Sequence, residues 1–551
     1  MKNMKKVFIP IALAAAMAMS AFLVACGDET DAGTGNNPTP DPNPNPKPPP
    51  TVTTTDKWRD ESIWMTAEDL VPTDAAELPE DVGYKIPTGS VHDPSVFHDP
   101  VSGYYYAYGT HYAVAKTYYL ADAFRSDKEG GWEQLAGDNN FQFLYGNDVY
   151  NYGGTKWPAA LESTLDLVKP GGSNPGTTTW APDVEYINGK YYMYYSLTKA
   201  FGSNESAIAR VESDSPEGPF TNNTIIIDSI GATRSTDPNC IDPELFYDKE
   251  GKLWMVYGSD MGGIFIKELY ADGENVGLPK HTKEEEGFGK KLWRGGSNQE
   301  GPFIYYNAAT DYYYLMCSYN SLMVTYNMHV ARSKNPDGPY VGIDGKDVAV
   351  DGSGNQVAGN FKFNRDGGSV NGFAAMGHNS VVKDADGKYY VIYHARRFSS
   401  TAAGATSGTV SQPHNLYVSQ LYFNEEGWPV MAPTPYVGET RGTFTEDQIA
   451  SAAYDVVVHA MPTGNASNYT ATLVNSVAYT LNADGTVTGG ATGSWTLTDG
   501  YYIELTLGSV TYKGVVAPGW DIYTSNTSKQ KGVITISAIS NTGASLWAVQ
   551  K

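Results

Sequence analysis

The sequence predicts an all-β protein, a five-bladed β-propeller followed by a small antiparallel β-barrel or sandwich. Two observations lead to this prediction: a hairpin pattern that recurs five times, and a change of pattern near residue 441. Of the 551 residues, 40 are tyrosine and only 18% are charged, whereas an average globular chain carries about 25% charged residues. A chain of this length has room for more than one domain.

The repeated unit is a β-hairpin. Each copy has a short motif and an apolar strand, then a turn rich in Gly, Asp or Asn, then an aromatic strand. Two copies continue into a further strand and a Gly-Pro-aromatic turn, which indicates four strands per unit. Four antiparallel strands repeated five times describe a five-bladed propeller, and a series of unrelated hairpins is the alternative. The five motifs are Asp93-Pro-Ser-Val96, Ala181-Pro-Asp-Val184, Asp242-Pro-Glu-Leu245, Glu300-Gly-Pro-Phe303 and His378-Asn-Ser-Val381.

The first strand of a propeller blade lies beside the central channel, so the five motifs are expected to meet at one mouth of that channel. The residues three positions before the apolar anchors then form a ring. These residues are Asp93, Ala181, Asp242, Glu300 and His378. The second strand returns to the same face and predicts a rim around the ring. The rim candidates are Thr110, His111, Ser196, Ser259, Ser318 and His394.

Three carboxyl groups in one ring predict acid–base chemistry on a neutral glycosidic bond. Such a bond is cleaved by two carboxyl groups, one that protonates the leaving oxygen and one that activates water. The acid needs a raised pKa, which a neighbouring carboxylate can provide by charge repulsion. Each Asp-Pro pair alone is equally typical of a turn, but Asp93, Asp242 and Glu300 share one position of the repeat.

The N-terminal segment predicts export and lipid anchoring. Three lysines precede an apolar run that ends in Leu23-Val-Ala-Cys26, an order typical of a secretory signal. The last four residues resemble a bacterial lipobox, in which Cys26 is acylated, and an uncleaved membrane helix is the alternative. We therefore expect residues 1–26 to be a lipoprotein signal peptide and the Pro/Asn/Thr-rich residues 27–56 to be a mobile tether.

Charge and cysteine content exclude several classes of function. The chain has 61 acidic and 38 basic residues, a formal net charge of −23, so we expect no nucleic-acid partner and no membrane contact beyond the lipid anchor. No GxxxxGK[ST], CxxC or HExxH motif occurs, which leaves phosphate-loop and zinc sites without support. Cys240 and Cys317 are expected to be two buried thiols, with a disulfide as the alternative.

The C-terminal residues 441–551 are expected to form a separate domain after a propeller that spans residues 57–440. The repeat ends there, and short alternating strands separated by Gly, Asn and Asp turns predict the barrel or sandwich. Three aromatic residues of this domain fit core packing, with sugar binding as the alternative. They are Trp520, Tyr523 and Trp547.

Five motifs together carry a resemblance to a known family. They are His92-Asp-Pro-Ser95, Trp180-Ala-Pro-Asp183, Ile241-Asp-Pro243, Glu300-Gly-Pro302 and Gly377-His-Asn-Ser380. With them the chain resembles glycoside hydrolase family 43 over roughly residues 91–438, and within that family the endo-acting α-1,5-L-arabinanases. The tail resembles the extra β domain of larger bacterial arabinanases.

The resemblance implies roles for the three acidic residues. Asp93 would be the general base that holds the attacking water, and Glu300 would be the general acid. Asp242 would raise the pKa of Glu300 and orient it. Family 43 enzymes invert configuration, which implies roughly 6.5–9.5 Å between the Asp93 and Glu300 carboxyl groups.

The resemblance also implies substrate-binding residues and a metal. Trp180 would offer a flat face to a sugar ring, and Ile241 and Ser259 match pocket-lining positions. His378 would contact a calcium ion partly through water, because a hard cation prefers oxygen ligands. The alternatives are a core tryptophan at position 180 and a hydrogen-bonded core histidine at position 378.

The function expected from these features is hydrolysis of internal α-1,5-L-arabinofuranosidic bonds in arabinan by an extracellular enzyme. We expect a monomeric outer-membrane lipoprotein, exposed at the cell surface. The enzymatic alternative is an exo-acting α-L-arabinofuranosidase or β-xylosidase of the same family. The non-enzymatic alternative is a surface lipoprotein that binds glycans, which would have no need of a paired acid and base.

Overall fold

The computed structural model describes most of the chain from residue 91 onwards. The described ranges are 91–118, 120, 132–171, 175–296, 298–365, 372–400, 405–411, 413–439, 442–524 and 531–551. The expected signal peptide with Cys26, and the expected tether, lie outside these ranges. Within them, no helix combines the length and the apolar character needed to cross a membrane.

Sheets 1 and 2 each contain four antiparallel strands. Sheet 1 consists of β1 (Ser95–His98), β2 (Tyr105–Tyr108), β3 (Val114–Thr117) and β4 (Glu133–Ala136). A separate hairpin follows, formed by β5 (Val149–Tyr152) and β6 (Thr155–Pro158). Sheet 2 consists of β7 (Thr179–Ile187), β8 (Lys190–Thr198), β9 (Ser206–Ser213) and β10 (Thr221–Asp228).

Sheets 3 and 4 repeat this arrangement. Sheet 3 consists of β11 (Glu244–Tyr247), β12 (Leu253–Tyr257), β13 (Gly263–Leu269) and β14 (Lys290–Arg294). Sheet 4 consists of β15 (Gln299–Asn307), β16 (Tyr312–Tyr319), β17 (Asn327–Ser333) and β18 (Asn355–Ala358). Four consecutive four-stranded sheets give a propeller-like arrangement.

Sheet 5 is larger and has seven strands. Its strands between residues 373 and 431 are β20 (Phe373–Lys383), β21 (Tyr389–Ser400), β22 (Ser407–Val410), β23 (Asn415–Phe423) and β24 (Pro429–Met431), and the short β19 (Phe361–Lys362) precedes them outside the sheet. Strands β20, β21, β23 and β24 pair in succession, while β22 branches from β21 and continues the sheet. The five predicted hairpins are thus all present, as β1–β2, β7–β8, β11–β12, β15–β16 and β20–β21.

The C-terminal region forms a closed eight-stranded barrel, which confirms the predicted barrel. Its chain contains β25 (Ala452–Val458), β26 (Gly464–Asn465), β27 (Thr470–Thr472), β28 (Val474–Asn475), β29 (Val477–Leu481), β30 (Thr486–Gly489), β31 (Gly493–Thr498), β32 (Tyr502–Leu507), β33 (Val510–Trp520), β34 (Gly532–Ser540) and β35 (Ser545–Gln550). Three of these strands leave the barrel. β26 and β27 extend sheet 5 through β22, and β28 pairs with β19.

Short helices occupy connections between strands. The α-helices are α1 (Phe141–Tyr145), α2 (Glu162–Val168), α3 (Lys283–Glu286) and α4 (Glu446–Ile449). The 3₁₀ helices are Thr110–Tyr112, Ala159–Leu161, Pro175–Thr177 and Ala466–Asn468.

Apolar clusters fill the spaces between neighbouring sheets. Separate clusters join sheets 1 and 2, sheets 2 and 3, and sheets 3 and 4, and one large cluster joins sheets 4, 5 and 1. Many of the tyrosines belong to these clusters, because a tyrosine can bury its ring while its hydroxyl reaches a polar partner. Tyr191, for example, donates its hydroxyl proton to Asp99 over 2.8 Å.

The predicted burial of the tail aromatics and of the thiols is confirmed. Trp520, Tyr523 and Trp547 are each about 1% exposed and belong to the cluster shared with sheet 5, so they pack in a core. Cys240 and Cys317 are buried and unbridged.

Hydrogen bonds link the first strands of neighbouring sheets. Each bond is accepted by the side chain of the third residue of a repeat motif in the neighbouring sheet. Asp183 and Glu244 accept backbone N–H groups of the next sheet, and Ser380 of sheet 5 accepts one from sheet 1. The bonds are Ser95 Oγ to Asp183 Oδ1 (2.6 Å), Leu245 N to Asp183 Oδ2 (2.9 Å), Ile304 N to Glu244 Oε2 (3.1 Å) and Val96 N to Ser380 Oγ (3.1 Å).

Candidate active site

A residue with left-handed backbone stands within or just before the first strand of every sheet. An L-residue adopts this conformation at a cost of about 1–2 kcal/mol, and such residues cluster at functional sites. Strand pairing also shifts register at this point in sheets 2, 4 and 5, and such a bulge re-aims a side chain. The five φ angles are 51° at Asp93, 38° at Ala181, 56° at Asp242, 58° at Gly301 and 46° at His378.

The predicted register of the fourth repeat is wrong by one residue. Gly301, and not Glu300, has the left-handed backbone, and Ile304, not Phe303, donates the N–H bond to the preceding sheet. Pro302 then aligns with the proline that follows Asp93, Ala181 and Asp242 in the other motifs. The sequence was ambiguous because two apolar residues stand side by side in this strand. Glu300 therefore occupies the position of His92, Trp180, Ile241 and Gly377.

Four of the six predicted rim residues bind the first residue of the next motif, and Ser259 and His111 do not. Four side chains accept a backbone N–H of the neighbouring sheet, and Ser259 instead donates its hydroxyl to Glu300 Oε2 over 3.0 Å. His111 takes no part and faces Asp138 at 3.8 Å. The N–H bonds are Ala181 to Thr110 Oγ1 (2.9 Å), Asp242 to Ser196 Oγ (3.0 Å), His378 to Ser318 Oγ (2.7 Å) and Asp93 to His394 Nδ1 (3.0 Å).

Asp93 is held as a carboxylate by its neighbours. Its Oδ2 accepts the Thr110 hydroxyl over 2.6 Å, and its Oδ1 lies 3.2 Å from both His92 Nε2 and His378 Nδ1. Burial opposes ionisation of this 8% exposed residue, but the imidazoles of His92 and His378 outweigh burial and hold the pKa of Asp93 well below its usual range. Asp93 is therefore ionised at neutral pH.

Glu300 has the opposite electrostatics. Burial is the main cause that raises its pKa to about 7, and the charge of Asp242 adds to it. The pKa of Asp242 is itself raised to about 6, again mainly by burial. Asp242 Oδ2 accepts the N–H of Gly301 over 3.1 Å, a bond that fixes Asp242 beside the segment that carries Glu300. The two carboxyl groups thus disfavour each other's ionisation, and a substantial fraction of Glu300 carries its proton near neutral pH.

His378 and Asp242 both line a small cavity of about 20 Å³. Residues from all five sheets line the cavity, among them Ser95, Asp183, Glu244, Phe303 and Ser380. Burial opposes a charge on His378, but the surrounding carboxyl groups, Asp93 first, raise its pKa to about 9. The site therefore has a negative potential that favours a cation, here the imidazolium.

Trp180 and Ile241 occupy the same repeat position as Glu300, one residue before the left-handed position. Trp180 is partly buried, and its ring meets the ring of Phe201 edge to face at 6.1 Å. Phe201 is 65% exposed, whereas Ile241 is only 5% exposed. Trp180 thus has a more accessible side chain than Ile241.

Two further residues at the site were not predicted from the sequence. Tyr326 is fully buried near Glu300, whose charge adds to burial in raising the pKa of this phenol. A side chain at Gly377 would place a Cβ 2.3 Å from the Tyr326 ring, so the glycine creates the space for it. Phe201 is the second. Neither belongs to a repeated motif, and an aromatic residue after a turn gives no local signal of such a role.

A glycoside hydrolase uses one carboxyl group as an acid and a second, ionised one as a base. Two carboxyl groups of these kinds lie at the mouth of this propeller-like fold. The chain belongs to the glycosyl hydrolases family 43, whose profile matches residues 84–429. A profile of a C-terminal lipocalin-like domain matches residues 433–548. The protein is therefore a family 43 glycoside hydrolase with an arabinanase-like sequence.

Several characterised relatives share most of its length. It is 35% identical to the extracellular endo-α-(1→5)-L-arabinanase of Thermotoga petrophila over 84% of this chain and 93% of the relative. It is 33% identical to extracellular endo-α-(1→5)-L-arabinanase 2 of Bacillus subtilis over 83% of this chain and 92% of the relative. The crystal structure of the endo-1,5-α-L-arabinanase from T. petrophila aligns with a TM-score of 0.70 at 33% identity, over 86% of this chain and 100% of that structure.

Proposed function

We propose that this protein is an extracellular endo-α-1,5-L-arabinanase that cleaves arabinan with inversion of configuration. The proposal is carried by the grouping of three buried carboxyl groups, in which Asp93 contacts His378 and Asp242 binds the segment of Glu300. The imidazoles hold the pKa of Asp93 well below its usual range, whereas burial raises the pKa of Glu300 to about 7. The choice of arabinan rests on the relatives, two of which are named as extracellular endo-arabinanases and match over most of their length.

In this mechanism Glu300 is the general acid and Asp93 is the general base. Glu300 donates its proton to the departing glycosidic oxygen, while Asp93 takes a proton from a water that attacks the anomeric carbon from the opposite side. Asp242 keeps the pKa of Glu300 high through its charge and its position. The Ser259 hydroxyl, which donates to Glu300 Oε2, leaves Oε1 as the oxygen that can carry the proton toward the substrate.

Substrate binding is assigned to the residues at the level of Glu300. Trp180 offers its accessible ring face to an arabinofuranose unit, and Ile241 supports the wall beside it. Phe201, which meets Trp180 edge to face, enlarges this aromatic surface. An apolar ring face suits the C–H groups of a neutral sugar.

The propeller of this proposal has five blades, with a catalytic domain over residues 57–440 and the barrel domain over residues 441–551. Strands β20, β21, β23 and β24 pair in the same successive order as the four-stranded sheets. The bond from Val96 N–H to Ser380 joins sheet 1 to sheet 5, as expected for a closed ring. We also infer that the protein acts as a monomer.

The alternative enzyme is exo-acting. An extracellular exo-α-(1→5)-L-arabinofuranosidase of Cellvibrio japonicus is 31% identical over 45% of this chain, so the same family chemistry occurs in relatives of both kinds. The product pattern decides between the two.

The first prediction concerns the products from debranched linear arabinan. We expect mixed oligosaccharides and a rapid loss of viscosity, and NMR should show that the first-formed products have the inverted anomeric configuration. The Glu300→Gln variant, which keeps the shape but has no acid proton, should lose about 10²–10⁴-fold in kcat while it still binds arabinan.

Free arabinose as the sole early product would contradict the endo assignment. A Glu300→Gln variant with wild-type activity would contradict the role of Glu300. If arabinan, xylan and aryl glycosides were all left intact, the glycan-binding alternative would replace the enzyme.

We propose that a calcium ion binds beside His378. The donor set fits a hard cation, because carboxyl groups of Asp183, Asp242 and Glu244 line the cavity with His378. The negative potential that raises the pKa of His378 also favours a bound cation. Water would complete the shell, since Asp183 already accepts two protein hydrogen bonds. Such an ion would help keep the nearby carboxyl groups ionised.

The second prediction is that calcium stabilises the protein through His378. At 100-fold excess over Kd, a ligand of the native state adds about 2.7 kcal/mol. Chelation with EGTA should therefore lower the thermal midpoint, and calcium should restore it. The His378→Ala variant should show no such calcium response. Equal midpoints for the wild type with EGTA and with calcium would overturn the assignment.

The third prediction concerns the lipid anchor proposed at Cys26, from which the protein would be displayed on the outer face of the outer membrane. Cells expressing the full chain should incorporate labelled palmitate into it and retain it in the membrane fraction. The Cys26→Ser variant should take up no label and appear in the soluble fraction. Label in both variants, or in neither, would contradict acylation at this residue.

A further inference from the structure

Four aromatic rings form a continuous buried stack behind the candidate active site. The stack consists of Tyr326, His394, His414 and His92. Tyr326 lies on His394, with ring centroids 5.5 Å apart. The three imidazoles all contact one another, with centroids 4.2 Å apart for His394 and His414, 4.3 Å for His414 and His92, and 4.9 Å for His92 and His394. Tyr326 and His394 are fully buried and His414 is 6% exposed. His92 is partly buried.

The two ends of the stack reach the two carboxyl groups of the proposed mechanism. Tyr326 packs at Gly377 beside Ser318, the residue that pairs with Glu300 across sheet 4. The imidazoles meet Asp93: His92 Nε2 is 3.2 Å from Asp93 Oδ1, and His394 Nδ1 accepts the Asp93 N–H over 3.0 Å. The rings therefore connect Glu300 of sheet 4 to Asp93 of sheet 1.

His394 departs from the pattern of the other sheets. At the equivalent rim positions, Thr110, Ser196 and Ser318 accept the N–H of the next motif through a hydroxyl. A hydroxyl would satisfy the Asp93 N–H in the same way, so that bond alone does not call for an imidazole. The larger ring adds the stacking contacts with Tyr326 and His414.

Hydrogen bonds fix the tautomers in the stack. Because His394 Nδ1 accepts a proton from Asp93 N–H, the neutral ring carries its own proton on Nε2. His414 pairs through Nε2 with the backbone oxygen of Leu322 over 3.0 Å, which leaves Nδ1 as an acceptor. Burial lowers the pKa of all three histidines, so the stack adds no positive charge that would ease the ionisation of Glu300.

We propose that Tyr326, His394, His414 and His92 are positioning residues that hold the Asp93 and Glu300 carboxyl groups at a fixed separation. This inference rests on the proposed acid and base roles. Inversion requires room for one water between the two carboxyl groups, and closely packed rings set that spacing across two separate sheets. A misplacement of about 1 Å can cost 10²-fold in rate.

His414 is the sharpest place to test the stack, because it packs against both His92 and His394 and makes no described hydrogen bond to either carboxyl group. The His414→Ala variant should lose about 10- to 100-fold in kcat on linear arabinan, with KM changed by less than about threefold. His414→Phe keeps the ring and should recover most of the loss. The matched control is His329→Ala, since His329 is also a buried, hydrogen-bonded histidine of the propeller but lies outside the stack.

Several results would overturn the proposal. They are a His414→Ala kcat within twofold of the wild type, an equal loss of kcat in His329→Ala, and a loss confined to KM. Stoichiometric zinc in the purified wild type that disappears in His414→Ala would also overturn it, because the three imidazoles would then be a metal site. If His414→Ala does not fold, kcat is compared between His414→Phe, which keeps the ring, and His394→Asn. The His394→Asn variant removes a ring but can still accept the Asp93 N–H.

Failure of the proposed function gives a different pattern. If the wild type is inactive on arabinan but cleaves another glycan, the proposed positioning role still stands. The same variants are then compared on that glycan. An active Glu300→Gln variant removes the acid role, whatever His414→Ala does.

Discussion

The left-handed backbone at the start of each first strand determines where the site residues point. It places Asp93, Asp242 and His378 at one level of the channel mouth and puts Glu300 one residue earlier, beside Trp180 and Ile241. Such a conformation persists only when its surroundings fix it. Here the N–H groups of Asp93, Ala181, Asp242 and His378 are bound by the preceding sheet, so the packing of whole sheets holds the chemistry in place.

Burial then turns similar side chains into different chemical groups. Asp93 has two imidazoles beside its carboxyl group and stays ionised, whereas Glu300 has the charge of Asp242 nearby and keeps its proton. The like-charge neighbour predicted from the sequence is present, but burial is the larger cause of the raised pKa of Glu300. The one-residue offset of Glu300 also means that the proposed acid and base come from different levels of the channel mouth, which suits a mechanism that needs a water between them.

The hairpin repeat allowed most of the fold to be predicted, because alternating and aromatic strands with Gly/Asp turns are local signals. The offset at Glu300 was missed, since Phe303 and Ile304 are equally apolar and only the backbone distinguishes them. Tyr326 and His414 were missed for another reason: they reach the site through tertiary packing between distant strands. The pairing of β27 with β22 could not be predicted either. The short barrel-domain strands that join sheet 5 have no sequence pattern that identifies the strand with which they pair.

The pH dependence of kcat/KM tests the electrostatic account of the acid most directly. A general acid works only while protonated, so activity should fall as pH rises through about 7, the pKa of Glu300. Replacing Asp242 by Asn removes the charge that disfavours ionisation of Glu300, so the alkaline limb should move to lower pH. The exposed Asp272→Asn variant is the control and should leave it in place. An alkaline limb that stays fixed or moves to higher pH in Asp242→Asn would contradict the account.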